Sequence, residues 1–309
     1  MKKIIFIIIL FISSIYSRYL GTAGLLLISP GAEAAGMGEA MVAYPNTPMM
    51  SYYNPAALSF LAGHSLSISR NKWLPSMNIT NVDNYHTFAA FRYKPKPSIK
   101  YTFGANINYF KFPDYLLFKA FSFNFAYKIL KSSSIAFTIK NVNQEFIISE
   151  ELQNWYVEKE KVSNNFLYDI SCFIQLPKSN LGLHVANIGK PISILDNTLP
   201  APTNISIGSY HQLYNDGYNK YMLSLQIDKL WVERNSVDDI KYKFGIEYKY
   251  TDAFILRTGY IVDKYSYLDK YLTFGLGIRL LQYGFDFGYT RIKNSPRNKT
   301  KYFTVFYNF

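Results

Sequence analysis

From about residue 64 to the end of the chain, apolar and polar residues alternate with period two, the spacing that sends successive side chains to opposite faces of a β-strand. Ile99, Tyr101, Phe103, Ala105, Ile107 and Tyr109 alternate with Lys100, Thr102, Gly104, Asn106, Asn108 and Phe110. Phe121, Phe123, Phe125, Tyr127 and Ile129 alternate with Ser122, Asn124, Ala126 and Lys128. The pattern returns where Ile240, Tyr242, Phe244, Ile246 and Tyr248 face Lys241, Lys243, Gly245, Glu247 and Lys249. It returns again where Leu281, Tyr283, Phe285, Phe287 and Tyr289 face Gln282, Gly284, Asp286 and Gly288. Each run is about ten residues, the length of a tilted membrane strand. Roughly fourteen such segments are predicted. They lie near 64–70, 85–93, 99–109, 120–129, 134–142, 165–175, 181–187, 203–210, 220–228, 240–250, 253–261, 270–280, 281–290 and 300–309.

The connections have a rhythm of their own. After odd-numbered segments they run about 8 to 22 residues, including 71–84, 143–164 and 188–202. After even-numbered ones most are under about six, such as Lys94–Ser98 and Thr251–Asp252; 211–219 is the exception. Long outer loops and short periplasmic turns alternate in this way in bacterial membrane barrels. The insert Ser149–Lys161, with Glu150, Glu151, Glu158, Lys159, Glu160 and Lys161, reads as a solvated outer loop. Closure follows from hydrogen bonding, because lipid offers no partner to an open sheet edge. A soluble β-sandwich would turn its aromatic face inward and would need neither the loop rhythm nor the aromatic excess. The expected fold is therefore an all-β, transmembrane antiparallel barrel of about fourteen strands.

The first residues add an export signal. Lys2 and Lys3 precede an apolar run, Ile4 to Ile12, and a small-polar stretch with Ser13, Ser14 and Ser17. The run is about nine residues, too short to span a bilayer, so 1–17 reads as a cleaved signal peptide. Residues 18–63 carry Pro30, Gly31, Gly36, Gly38, Pro45, Pro48 and Pro55 in an Ala-rich background and no strand pattern. They are expected to form a compact plug segment in the lumen, with 64–309 as the barrel.

Composition sharpens this picture. Aromatic residues make up 18% of the chain, with 28 Tyr and 24 Phe, which suits a wall half in lipid and half in water. The single cysteine, Cys172, excludes an intramolecular disulfide and reads as lipid-facing, since it alternates with Phe166, Tyr168, Ile170 and Ile174. The net charge of +12 is scattered along the chain, so outer-membrane lipid and lipopolysaccharide are the expected partners and nucleic acid is not.

Candidate chemistry is sparse. The inward-facing set is mainly polar, with Lys100, Asn106, Asn108, Asn124, Lys128, Lys140, Gln226, Lys241, Lys243, Glu247 and Lys249 expected to line the lumen. His64, His86, His184 and His211 lack metal-ligand spacing, and Gly36-x-Gly38 lacks the strand and third glycine of a nucleotide loop. No serine sits in a nucleophile elbow. The expectation is no enzyme, no cofactor and no metal.

Two blocks, LLLISPGAEAAGMGEAMVA from Leu25 to Ala43 and SYYNPAALSF from Ser51 to Phe60, resemble the opening of the PorV/PorQ family of outer-membrane proteins. VANIGKPISILDNTLPAPTNISIGSYH from Val185, FGIEYKYTDAFILRTGY from Phe244 and YLTFGLGIRLLQYGFDFGYT from Tyr271 are similar to that family's later blocks. That family is similar in fold to the long-chain fatty acid transporters, fourteen-stranded barrels whose plug carries an Asn-Pro-Ala element. The resemblance implies a plug motif of Gly36, Gly38, Asn54, Pro55 and Ala56, with Glu39 standing where the family often has a second glycine. The aromatic end Phe309 resembles the signal read by the barrel assembly machinery.

By resemblance the chain would be an accessory of type IX protein secretion, receiving cargo at the outer membrane through its sorting domain and handing it to surface attachment with other secretion machinery. The alternatives are a channel for hydrophobic solutes and a passive structural barrel. The polar inward set disfavours a greasy conduit, and its lysines would attract anions if water filled the lumen.

Overall fold

The computed structural model describes residues 23–45, 47–72, 75, 85–96, 98–112, 116–146, 162–194, 197–231, 240–264, 269–292 and 298–309. The expected signal peptide, the start of the plug, most of 71–84 and the charged insert 149–161 lie outside them.

The strands are β1 (Ser65–Lys72), β2 (Tyr85–Tyr93), β3 (Tyr101–Phe112), β4 (Leu116–Leu130), β5 (Ser133–Phe146), β6 (Val162–Gln175), β7 (Ser179–Ile188) and β8 (Ile192–Ile194). They continue with β9 (Asn197–Leu199), β10 (Thr203–Asn215), β11 (Asn219–Trp231), β12 (Ile240–Tyr250), β13 (Phe254–Asp263), β14 (Asp269–Leu280), β15 (Tyr283–Arg291) and β16 (Thr300–Asn308). All but β8 and β9 form one closed barrel, in which each strand pairs with its neighbours and β1 closes on β16. These are the fourteen strands expected from the alternation; β8 and β9 form a small separate hairpin.

Alternation sets the two faces. Ile107, Phe121, Phe123, Phe125, Ile246, Phe274 and Phe285 stand exposed on the outer wall, while Asn106, Ser122, Asn124, Gly245 and Thr273 face the interior. Cys172 is a free, half-exposed thiol on the outward set of β6.

Two expected boundaries are corrected. The long connection at 211–219 shrinks to 216–218, because β10 runs on to Asn215 through a register shift between Gln212 and Tyr214 that interrupts the period-two pattern. There Asp216 accepts from the Tyr218 and Asn219 amides, and the bonds from Asn219 hold its carboxyl down at about 2. The connection expected before residue 120 contracts to 113–115, since Leu116, Leu117 and Phe118 are apolar on both faces and show no alternation.

Candidate functional site

Inside the barrel, the segment from Ala23 to Gly63 runs from the long-loop end to the short-turn end, where it joins β1. At the loop end Ala23, Leu26 and Ile28 pack with Phe110, Phe118, Ala120, Val142, Leu167, Ile192 and Ala201. This is a packed apolar cluster inside a wall expected to be polar. It escaped the sequence reading because Phe110, Phe118 and Leu167 lie in stretches that are apolar on both faces.

At mid-height the segment's backbone lies directly on the wall's backbone, at glycines that face inward. A Cβ on Gly275 would fall 2.8 Å from the Gly36 Cα, one on Gly245 would fall 2.4 Å from the Met37 carbonyl oxygen, and one on Gly182 would fall 2.1 Å from that of Val42. Hydrogen bonds fix the register. Thr304 Oγ1 accepts from Ala32 N at 2.8 Å, Thr273 Oγ1 from Gly38 N at 3.1 Å, and Gln226 Oε1 from Val42 N at 2.8 Å. Gly38 and Glu39 both adopt left-handed φ, 59° and 57°, a backbone conformation that favours glycine.

Around this contact lies a buried charge network. Arg257 Nε donates to Glu247 Oε2 at 2.7 Å and its Nη1 to Asp286 Oδ1 at 2.6 Å. Arg279 Nη2 reaches Glu33 Oε1 at 3.1 Å and Asp286 Oδ2 at 3.0 Å. Glu247 also accepts from the Tyr44 and Tyr210 hydroxyls and pairs with Lys249, while Glu33 accepts from Thr47. A second set pairs Lys140 with Asp169 at 3.1 Å, Lys241 with Asp263 at 2.9 Å and Lys243 with Asp228 at 2.7 Å. Buried ions without such partners would cost several kcal/mol each, roughly, so these pairings offset the charges they join, and those of Glu33 and Tyr44 clamp the lumen segment to the wall.

At the short-turn end the Asn-Pro-Ala element makes the tie. Asn54 Nδ2 donates to the carbonyls of Val42 at 2.8 Å and Cys172 at 3.0 Å, and Asn54 Oδ1 accepts from Ala56 N at 3.2 Å. Pro55 opens the 3-10 turn Pro55–Phe60, where its missing N–H is no loss, and Ser134 Oγ donates to Ala56 O at 2.7 Å. Arg92 caps the segment's end by donating to the carbonyls of Leu61, Ala62 and Gly63. Phe309 N donates to His64 O at 2.9 Å and His64 N to Phe309 O at 2.6 Å, so the terminal aromatic closes the seam beside β1.

Gly36, Gly38, Asn54, Pro55 and Ala56 all lie in the lumen segment against the wall, and Asn106, Asn124, Lys128, Lys241, Lys243, Glu247 and Lys249 face inward. Lys100 does not join them: it is exposed at the rim, because β3 begins only at Tyr101. The four histidines stay apart, with His64 stacked on Tyr93, His86 bonded to Asn108, His184 beside Asp169 and His211 bonded to Ser209. Glu33, Arg257 and Arg279 were missed. A signal for Arg257 existed, since a tight turn at 251–253 sets it opposite Glu247. A cavity of about 400 Å³ opens at the short-turn mouth, bordered by Tyr44, Lys178, Lys220 and Lys249, and another of about 60 Å³ lies between Leu26, Tyr52, Lys140 and Lys243.

No family model and no curated protein matches the sequence. Solved structures do match in shape. The toluene transporter TbuX of Ralstonia pickettii is similar over 90% of this chain and 98% of its own, with a TM-score of 0.62 and 13% identity. The monoaromatic hydrocarbon channel CymD is similar over 92% and 98%, with a TM-score of 0.63 and 12% identity. A FadL homologue of Pseudomonas aeruginosa is similar over 91% and 99%, with a TM-score of 0.56 and 10% identity. The chain therefore has the fatty-acid-transporter-like barrel fold.

Proposed function

We propose that this protein is an outer-membrane channel for hydrophobic solutes, gated by the segment that fills its lumen. The observation that carries this reading is the packed apolar cluster at the loop end. Phe110, Phe118, Val142 and Leu167 turn inward there, where a water-filled pore would use polar residues, and Leu26 and Ile28 occupy the space between them. An apolar solute that displaces those two side chains gains about 25 cal/mol per Å² buried against the same apolar wall. Passage beyond this cluster requires the lumen segment to shift, since glycine contacts and ion pairs hold its middle. The similarity to a toluene transporter and a monoaromatic hydrocarbon channel points the same way.

The test is fluorine NMR of 4-fluorotoluene added to the full chain in nanodiscs. A bound resonance is expected with the unaltered chain and not with Phe118→Glu, whereas Leu26→Ala should strengthen it. No protein-dependent resonance would remove the channel reading.

A second reading, the type IX secretion accessory implied by the sequence blocks, draws support from the filled lumen, because a barrel that meets cargo through its outer loops needs no conduit. Unchanged secretion of sorting-domain proteins in a deletion strain would end it. Assembly through Phe309 belongs to either reading and predicts slow membrane insertion of Phe309→Ser.

A further inference from the structure

Charge at the short-turn end is unevenly distributed. The turns at 94–100, 131–132 and 176–178 join strands that are neighbours around the wall, from β2 to β7. These turns and the strand end beside them carry Lys94, Lys96, Lys100, Lys128, Lys131 and Lys178 and no carboxylate. Across the barrel the balance is different, because the turn at 216–218 holds Asp216 and Asp252 pairs with Lys220. The lumen also differs: Lys140, Lys241, Lys243 and Lys249 each have a carboxylate within 3.1 Å. Among the described residues, no ion pair neutralises any of the six lysines of the arc.

The arc has an inner and an outer layer. Lys94 Nζ donates to Ser59 O at 2.9 Å, and Lys128 Nζ lies 4.3 Å above the Phe60 ring, so both lean on the lumen segment near Arg92. Burial lowers the proton affinity of Lys94, and repulsion from Lys128 and Arg92 lowers it further. Lys96, Lys100, Lys131 and Lys178 are exposed at the rim. Apolar groups stand among them: Leu130 is 64% exposed and Leu176 43%, beside the outward Tyr93, Tyr101 and Tyr127. A row of free amines just beyond an exposed aliphatic and aromatic belt places positive charge at headgroup depth, with apolar side chains at acyl depth.

We infer that this arc binds the phosphate of an anionic phospholipid in the membrane leaflet facing the short turns. The inference rests on the membrane-barrel part of the function proposed above and not on which solute the lumen admits. Interleaved Leu and Tyr favour a lipid over an acidic peptide, and the long lysine stems let their amines reach headgroup phosphates while the stems lie on apolar surface.

The experiment uses the full chain refolded in micelles, with insertion checked by flotation on phosphatidylcholine vesicles and by the heat-induced shift of a folded barrel on gels. Failure to float would defeat the membrane reading itself. Native mass spectrometry then compares equimolar phosphatidylglycerol and phosphatidylethanolamine. Phosphatidylglycerol adducts should dominate, and K96Q/K100Q/K131Q/K178Q should reduce them by roughly fivefold for each lysine that meets the headgroup. The matching four Lys→Arg changes should keep the preference. Equal adducts of the two lipids on a chain that floats would overturn the inference, as would a preference undiminished in the Gln variant, lost in the Arg variant, or replaced by inorganic phosphate binding alone.

Discussion

Gly38 of the lumen segment rests on Gly259 of β13 so closely that a Cβ at position 259 would fall 2.1 Å from the Gly38 nitrogen and 2.4 Å from its Cα. The atoms that would collide are backbone, so neither side can yield by rotating a side chain. Gly259→Val should cost about 1–3 kcal/mol of stability in micelles, through overpacking or through release of the segment. Hydrogen exchange at the amides of 34–40 should rise in the same variant. Unchanged exchange and an unchanged denaturation midpoint would mean that the two backbones do not meet.

Arg257 serves two carboxylates, Glu247 and Asp286, with no exposed side-chain surface of its own. Arg257→Met removes that shared cation and should cost on the order of 3 kcal/mol. Lys249 and Arg279 remain to limit the loss. Adding Glu247→Gln should recover part of it, since one stranded charge is then gone. Denaturation of both variants gives the comparison, and a double variant that is no better than the sum of its parts would show that charge pairing is not what Arg257 supplies.

Asn54 can be separated into its two roles. Its amide donors tie the lumen segment to Val42 and to β6 at Cys172, and its carbonyl caps the turn at Ala56. Asn54→Asp keeps the cap and loses both donors, so it should cost about 1–3 kcal/mol, as much as or more than Asn54→Ala. A neutral Asp variant in the same denaturation assay would transfer the element's importance to the cap alone.

The wall was legible in the sequence because lipid outside and packing inside force opposite chemistries onto alternate residues. Where that contrast lapses the reading lapsed too, at the Gln212–Tyr214 register shift and at the start of β4, where Leu116, Leu117 and Phe118 are all apolar. The interior was less legible, since its key contacts join residues far apart in sequence. Glu33 meets Arg279 with no periodic pattern to announce it. One overlooked signal was local: Gly245, Gly259, Gly275 and Gly288 take inward positions on four successive strands. Such a glycine row removes side chains along a line and leaves room for a backbone.

Removing residues 23–62 should turn a nearly closed barrel into a conducting one. The inward wall would then present Arg92, Lys94, Lys128, Lys140, Lys241, Lys243, Lys249, Arg257 and Arg279 against Asp169, Asp228, Glu247, Asp263 and Asp286. The deleted piece takes Glu33 and Glu39 with it, so the exposed lumen carries a surplus of positive charge and should favour anions. Planar bilayer recordings on variant protein that still shows the heat-induced gel shift should give larger currents than the intact chain, with a reversal potential displaced toward chloride. Equal conductance in the two proteins would mean that the segment does not obstruct the lumen, and a cation preference would mean that the buried carboxylates, not the lysines, set the field inside.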